Sequence, residues 1–241
     1  MADIFRRVEK KYIIDKQQYR RLLPEISKYM YEDQHGKSVI CNIYFDTENY
    51  DLIRRSIEKT FFKEKVRLRS YNTPKMNSNV YLEIKRKINK VVGKRRIEIS
   101  LLDFYNFISQ SDSLKNVNIQ IKKELDYIFA YYKLEPKMYI SYERVALYQK
   151  ENSDFRVTFD SNILARSYDL KLELGNYGVN ILDKNNYIME IKTLGTIPMW
   201  FVNLINELQI KPGKFSKYGE SYKKLIISNE MKQTNNIEII A

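Results

Sequence analysis

The sequence predicts an α+β protein: an antiparallel sheet whose strands carry one apolar and one charged face, with amphipathic helices on the apolar side. Two observations predict it. Apolar and charged residues alternate with period two in at least seven segments. Between those segments, apolar residues recur every three to four positions. Hydrophobic residues make up 44% of the 241 and aromatics 13%, so a packed core can form and wholesale disorder is excluded. Residues 1–228 read as one domain, and 229–241 as a polar, frayed tail.

The elements follow in order. Arg7, Glu9 and Lys11 share one strand face, opposite Val8 and Tyr12. A helix is predicted over Lys16 to Met30, where Tyr19, Leu22, Leu23, Ile26, Tyr29 and Met30 form the stripe and Asp15 the N-cap. Pro24 must kink it or begin a second helix. The run Glu-Asp-Gln-His-Gly-Lys around His35 reads as a loop. Glu48 to Glu58 reads as helix after Thr47. In the strand Lys63 to Tyr71, Lys63, Lys65, Arg67, Arg69 and Tyr71 face away from Val66 and Leu68. In Val80 to Lys87, Tyr81, Glu83, Lys85 and Lys87 oppose Val80, Leu82 and Ile84. In Lys94 to Ile99, Lys94, Arg96 and Glu98 oppose Ile97 and Ile99. Helices fit Leu101 to Ser109 and Ile119 to Tyr132. Tyr142 with Arg144, Arg156 with Thr158 and Asp160, and Glu190 with Lys192 mark three further strands. Helices after Pro198 and Ser216 fit Met199 to Leu208 and Lys217 to Ile227.

Charge narrows the function. The chain has 42 Lys plus Arg against 30 Asp plus Glu, a formal net charge of +12. Residues 54–96 alone carry fifteen Lys/Arg and three acids, so they hold the whole imbalance. That points to an anionic partner. One face carries Lys63, Lys65, Arg67 and Arg69 with no acid between them, where an ordinary solvated face mixes signs. Glu-x-Lys recurs on one face at Glu9/Lys11, Glu83/Lys85 and Glu190/Lys192. Such strands form either a sheet with a solvated charged face or a barrel with its charges inward. A charged interior needs water, counter-charge or a polyanion.

Composition excludes other chemistries. One cysteine, Cys41, allows no intramolecular disulfide and argues against a Cys-based zinc site. With His35 the single histidine, nucleophilic triads are disfavoured. Seven glycines form neither a dinucleotide-binding fingerprint nor a P-loop, so phosphate must be gripped by side chains. The N-terminus lacks a signal-peptide apolar stretch, and no apolar run approaches the roughly 20 residues of a membrane helix. The expectation is a soluble cytoplasmic protein.

Nine motifs in order carry a family resemblance. They are Arg-x-Glu-x-Lys-Tyr at 7–12, Tyr-Phe-Asp-Thr at 44–47, Val-Arg-Leu-Arg-Ser-Tyr at 66–71, Leu-Glu-Ile-Lys at 82–85 and Lys-Arg-Arg at 94–96. Ser-Tyr-Glu-Arg at 141–144, Arg-Val-Thr-Phe-Asp at 156–160, Met-Glu-Ile-Lys at 189–192 and Lys-Phe-Ser-Lys-Tyr at 214–218 complete the set. The chain resembles the VTC (vacuolar transporter chaperone) domain, the polyphosphate-polymerase branch of the CYTH-like triphosphate tunnel metalloenzymes. The resemblance implies a closed eight-stranded antiparallel β-barrel flanked by helices. Its basic lumen would bind triphosphate with Mn2+ or Mg2+ and transfer the ATP γ-phosphate to inorganic polyphosphate.

The resemblance also implies roles for residues. Lys11, Arg67, Arg69, Lys85, Lys94, Arg96, Tyr142, Arg144, Lys214, Ser216 and Lys217 match substrate-binding positions. Arg67, Arg69, Lys85, Arg144 and Glu190 are the catalytic set, with Glu190 the metal ligand. Arg156 and Lys192 join the substrate set on strand phase. The chemistry agrees: phosphoryl transfer needs positioning and neutralised charge, and a terminal phosphate nucleophile needs no histidine base. Arg7 stands where other tunnel enzymes carry a first Glu, which weakens a two-metal site. The SPX domain and membrane helices of better-known members are missing, which leaves room for a separate membrane partner. Alternatives are a tripolyphosphatase or nucleoside triphosphatase of the same fold, and a non-catalytic module binding polyphosphate or nucleic acid. No nucleic acid is expected, because most of the twenty tyrosines fall in core patterns.

Overall fold

A computed structural model describes residues 8–89, 91–109, 114, 117–229 and 231. Arg7 and nearly all of the expected tail lie outside them, as does the side chain of His35. The elements are β1 (Val8–Asp15), α1 (Lys16–Tyr29), β2 (Met30–Asp46), α2 (Asp51–Ile57), β3 (Phe62–Tyr71), β4 (Asn79–Ile88) and β5 (Val91–Ser100). Then come α3 (Leu101–Ile108), α4 (Ile119–Tyr132), β6 (Glu135–Gln149), β7 (Arg156–Arg166), β8 (Val179–Asn180), β9 (Asn186–Thr193), α5 (Met199–Glu207) and α6 (Lys217–Tyr222).

The nine strands form one sheet in the order β1-β9-β7-β6-β2-β3-β4-β5, with β8 on β7. Every pairing given in register is antiparallel. Strands β1 and β5 end the hydrogen-bonded order, so the expected closed barrel of eight strands is not shown. The chain packs as two compact units. Among the described residues, one holds 8–39, 142–163 and 182–216, and the other holds 40–141, 164–181 and 217–231.

In the first unit, Tyr12, Ile14, Val157, Phe159, Met189 and Ile191 face one side of the sheet. They are buried with Leu22 and Ile26 of α1 and Phe201 and Ile205 of α5. Asp15 caps α1 as its sequence predicts: Oδ1 accepts from the backbone N–H of Gln17 at 2.7 Å and of Gln18 at 2.8 Å. Gln18 Oε1 accepts in return from Asp15 N at 3.1 Å, which completes a capping box. No second helix starts at Pro24; α1 runs through it, fixed by the packing of Leu22 and Ile26. The expected loop at residues 32–37 is instead strand, part of β2, with Gly36 at φ +44. A polar run can pair as a strand wherever its side chains stay in water.

In the second unit, Ile43, Phe45, Val66, Leu68, Leu82, Ile84, Ile97 and Ile99 are buried, as are Leu52 and Ile53 of α2, Leu101 and Phe104 of α3, and Leu125 and Ile128 of α4. Phe45 packs on Phe104 and Phe129 at ring distances of 5.8 and 5.4 Å. Helix α2 is shorter than expected, because Tyr50 takes a left-handed φ of 60. Its capping group is Asp46, whose carboxylate accepts from Leu52 N at 2.8 Å and Ile53 N at 3.0 Å. The helix after Ser216 is also interrupted: α6 ends at Tyr222 and gives way to a π-helical turn.

Candidate functional site

Register builds the charged face of the second unit. Successive cross-strand rows read Asn42–Arg69–Tyr81–Glu98, Tyr44–Arg67–Glu83–Arg96, Lys65–Lys85–Lys94 and Lys63–Lys87. The predicted strand phase therefore places Arg67, Arg69, Lys85, Lys94 and Arg96 on one face. Arg86 and Arg95 fall on the other side, where Arg86 Nε bonds Glu64 at 2.6 Å and both arginines reach Glu124 at 3.0 and 3.6 Å.

Glu83 is the hub of that face. Only 2% exposed, it accepts from Nε and Nη2 of Arg67, both at 2.7 Å. Lys94 Nζ stands 2.8 Å and Arg96 Nε 3.7 Å from its other oxygen, while Arg69 Nε lies 3.9 Å from the oxygen that Arg67 holds. Burial works to raise its carboxyl, but Arg67, Arg69 and Lys94 outweigh it and hold the group at about 2. Arg69 Nε donates to Asn42 Oδ1 at 3.0 Å, and Asn42 donates to the Ile140 carbonyl at 3.0 Å. Arg67 Nη1 donates to the Tyr44 hydroxyl at 3.1 Å. Burial pushes that phenol up, yet Arg67, Lys65 and Arg69 together bring it down to about 8. Tyr44 stacks on Tyr218, whose hydroxyl donates to Asp46 at 2.9 Å. Arg96 lies over the Tyr81 ring at 3.7 Å.

The first unit carries a second cluster. Lys11 faces Glu190 across β1 and β9, and Glu190 faces Thr158 across β9 and β7. Glu190 lies 3.4 Å from Lys192 Nζ, 3.9 Å from Lys11 Nζ and 4.0 Å from Arg144 Nη2. Arg144 grips the fully buried Asp160 through two hydrogen bonds of 2.6 and 2.8 Å, and its guanidinium lies over the Tyr142 ring at 5.1 Å. Burial opposes the Arg144 charge, but Asp160, Tyr142 and Glu190 keep its pKa well above the usual value. Burial lowers the Lys192 ammonium despite Glu190. Lys11 Nζ also reaches the Phe215 carbonyl at 3.5 Å, which brings the segment holding Lys214 and Ser216 onto β1.

The expected residues thus fall into two sets. Lys11, Tyr142, Arg144, Glu190 and Lys192 come together in one unit. Arg67, Arg69, Lys94 and Arg96 gather on Glu83 in the other, with Lys85 in the adjacent row. Arg156 is exposed, donates to the Ser153 carbonyl at 3.2 Å and pairs in register with Lys192. Lys214 is exposed, and Lys217 opens α6. Sequence reasoning assigned no role to Glu83, Asp160, Tyr44 or Thr158. The signal for Glu83 was present, because it repeats the Glu-x-Lys spacing of Glu190.

A divalent cation fits this donor set in one way. Among the described residues, no three or more His, Cys, Asp or Glu side chains group to hold a metal. Glu190 offers a carboxylate, and the buried Thr158 hydroxyl across from it has no hydrogen-bond partner among the described residues. One or two oxygen ligands completed by phosphate and water suit Mg2+ or Mn2+.

A Bacillus halodurans protein described as a candidate adenylate cyclase superposes with a TM-score of 0.56 at 12% identity, covering 91% of this chain and 96% of its own. A candidate adenylyl cyclase from Hippeastrum, described as having a dominant triphosphatase activity, gives 0.51 at 14%, with the same coverages. These likenesses establish a shared fold. The VTC domain family model matches residues 6–226, and the chain belongs to that family. A comparison with curated proteins gives no match. No helix among the described residues is long and apolar enough to cross a membrane.

Proposed function

We propose that the chain is a metal-dependent polyphosphate polymerase that transfers the γ-phosphate of ATP to the end of a growing inorganic polyphosphate within a basic tunnel. The observation that carries the proposal is the row Lys65–Lys85–Lys94 lying in register beside Arg67–Glu83–Arg96. Like charges set across strands repel, and a chain of phosphates relieves that repulsion. Membership of the VTC family favours ATP and polyphosphate as the substrates.

In this reading Arg67, Arg69, Lys85, Lys94 and Arg96 neutralise and orient phosphate oxygens. Glu83 holds the three arginines and Lys94 in place before substrate arrives. Lys11, Arg144 and Lys192 act in the same way beside Glu190, with Tyr142, Arg156, Lys214, Ser216 and Lys217 as further substrate contacts. A terminal phosphate oxygen attacks the γ-phosphorus, the bond to the β,γ-bridging oxygen breaks, and ADP leaves. The nucleophile is already anionic, so no protein base is required. Glu190 and Thr158 would hold Mn2+ or Mg2+, which supplies charge neutralisation on the phosphates when bound.

Purified protein with ATP, a pyrophosphate primer and Mn2+ or Mg2+ tests the proposal. Lengthening chains with matched ADP support it. Orthophosphate released from tripolyphosphate without chain growth would select the triphosphatase reading, to which the Hippeastrum neighbour's described activity lends support. Binding without turnover would leave a polyphosphate-binding module.

A further inference from the structure

The far end of the β4–β5 hairpin is unlike the rest of the charged sheet. Ile97 and Ile99 of β5 are buried, but residues 91–96 are all exposed. The ribbon therefore runs beyond the core. At its end Val91 is 74% exposed, Val92 50% and Ile88 47%, and Phe61 beside them is 68% exposed. Register pairs Ile88 with Val91 and Phe62, and the Asn89 backbone N–H donates to the Phe61 carbonyl at 2.9 Å. These apolar side chains thus cluster at one end of the ribbon, on both of its faces.

Cations surround them. Val92 pairs with Lys87, which pairs with Lys63. Burial and the charges of Lys87 and Lys59 together depress the Lys63 ammonium, so the three cations crowd one another. Residues 85–96 contain seven Lys/Arg and no acid. Scattered exposed apolar residues need no explanation, but four at one tip with a basic collar do.

We propose that this hairpin end docks on an anionic lipid bilayer, inserting Phe61, Ile88, Val91 and Val92 among the headgroups while Lys59, Lys63 and Lys87 meet lipid phosphates. The alternation of strand side chains favours a bilayer over a protein partner. Val92 points to one face of the ribbon, and Val91 and Ile88 to the other. A protein partner covers one face, whereas a bilayer surrounds a tip on both. Apolar insertion and electrostatic attraction then act together.

Vesicle co-sedimentation of the full chain tests this. The chain should sediment with phosphatidylcholine vesicles that contain phosphatidylglycerol and stay in solution with pure phosphatidylcholine. Val91→Ser combined with Val92→Ser should cut the partitioning at least tenfold, since both side chains lie outside the core. Adding inorganic tripolyphosphate should leave that difference between wild type and variant in place. A polarity-sensitive dye on Val91→Cys should shift to the blue with the anionic vesicles. No sedimentation with anionic vesicles would overturn the proposal. So would equal sedimentation of the double variant, which would assign the binding to phosphate-holding lysines alone. An acidic protein bound at this tip, without vesicle binding, would overturn it as well.

Discussion

Replacing Glu83 by Gln removes one charge from among four cations while keeping the side chain's shape. The carboxyl sits at about 2 against an ordinary 4.5. That difference corresponds to about 3 kcal/mol of native-state stabilisation. Because the folded value lies below the unfolded one, the stabilisation is complete above pH 4.5 and is lost as pH falls through about 2. Glu83→Gln should therefore destabilise the protein by about 3 kcal/mol at neutral pH and by progressively less toward pH 2. Urea unfolding of both proteins across that range measures it. Tripolyphosphate added at neutral pH should narrow the gap, because the anion takes over the neutralising role and binds only the folded state. Equal urea midpoints at neutral pH would refute the claim that Glu83 holds the cations together.

Three further outcomes follow from the same geometry. Lys85→Ala should weaken tripolyphosphate binding about tenfold without lowering the urea midpoint, since Lys85 is exposed and its loss relieves repulsion in the Lys65–Lys85–Lys94 row. The Tyr44 phenol at about 8 should make anion binding weaken as pH rises through that value, because ionised Tyr44 competes for the cations; calorimetric titration of Tyr44→Phe should show this step gone. Glu190→Gln should raise the Mn2+ concentration needed for half-maximal turnover roughly tenfold or more, and chelating the metal should stop turnover altogether.

Much of this was legible from alternation. The period-two pattern places Lys63, Lys65, Arg67 and Arg69 opposite Val66 and Leu68, and the structure keeps that phase through β3, β4 and β5. It also separates Arg86 and Arg95 from the charged face, since odd and even positions cannot share one. Register was not legible. Nothing in the order of residues says that Glu83 lies between Arg67 and Arg96 rather than between Arg69 and Glu98. Hence the face read as nearly all positive, while a buried carboxylate sits among its cations. Asp160 was overlooked for the same reason, because its grip on Arg144 joins residues sixteen apart. The capping of α2 by Asp46 reaches six residues forward, which no local signature records. Likewise, strand phase says which side chains share a face but not whether a sheet closes, and among the described residues β1 and β5 end the hydrogen-bonded order.

The most direct measurement follows the γ-phosphate itself. Wild-type protein is incubated with ATP radiolabelled at that position, a pyrophosphate primer and Mn2+ or Mg2+, and the products are separated by length. The account predicts label in chains longer than the primer, ADP in equal amount to the phosphate transferred, and a marked fall in both with Glu190→Gln at a metal concentration that half-saturates the wild type. Label recovered solely as orthophosphate, or ATP left intact under every metal and primer tried, would contradict it.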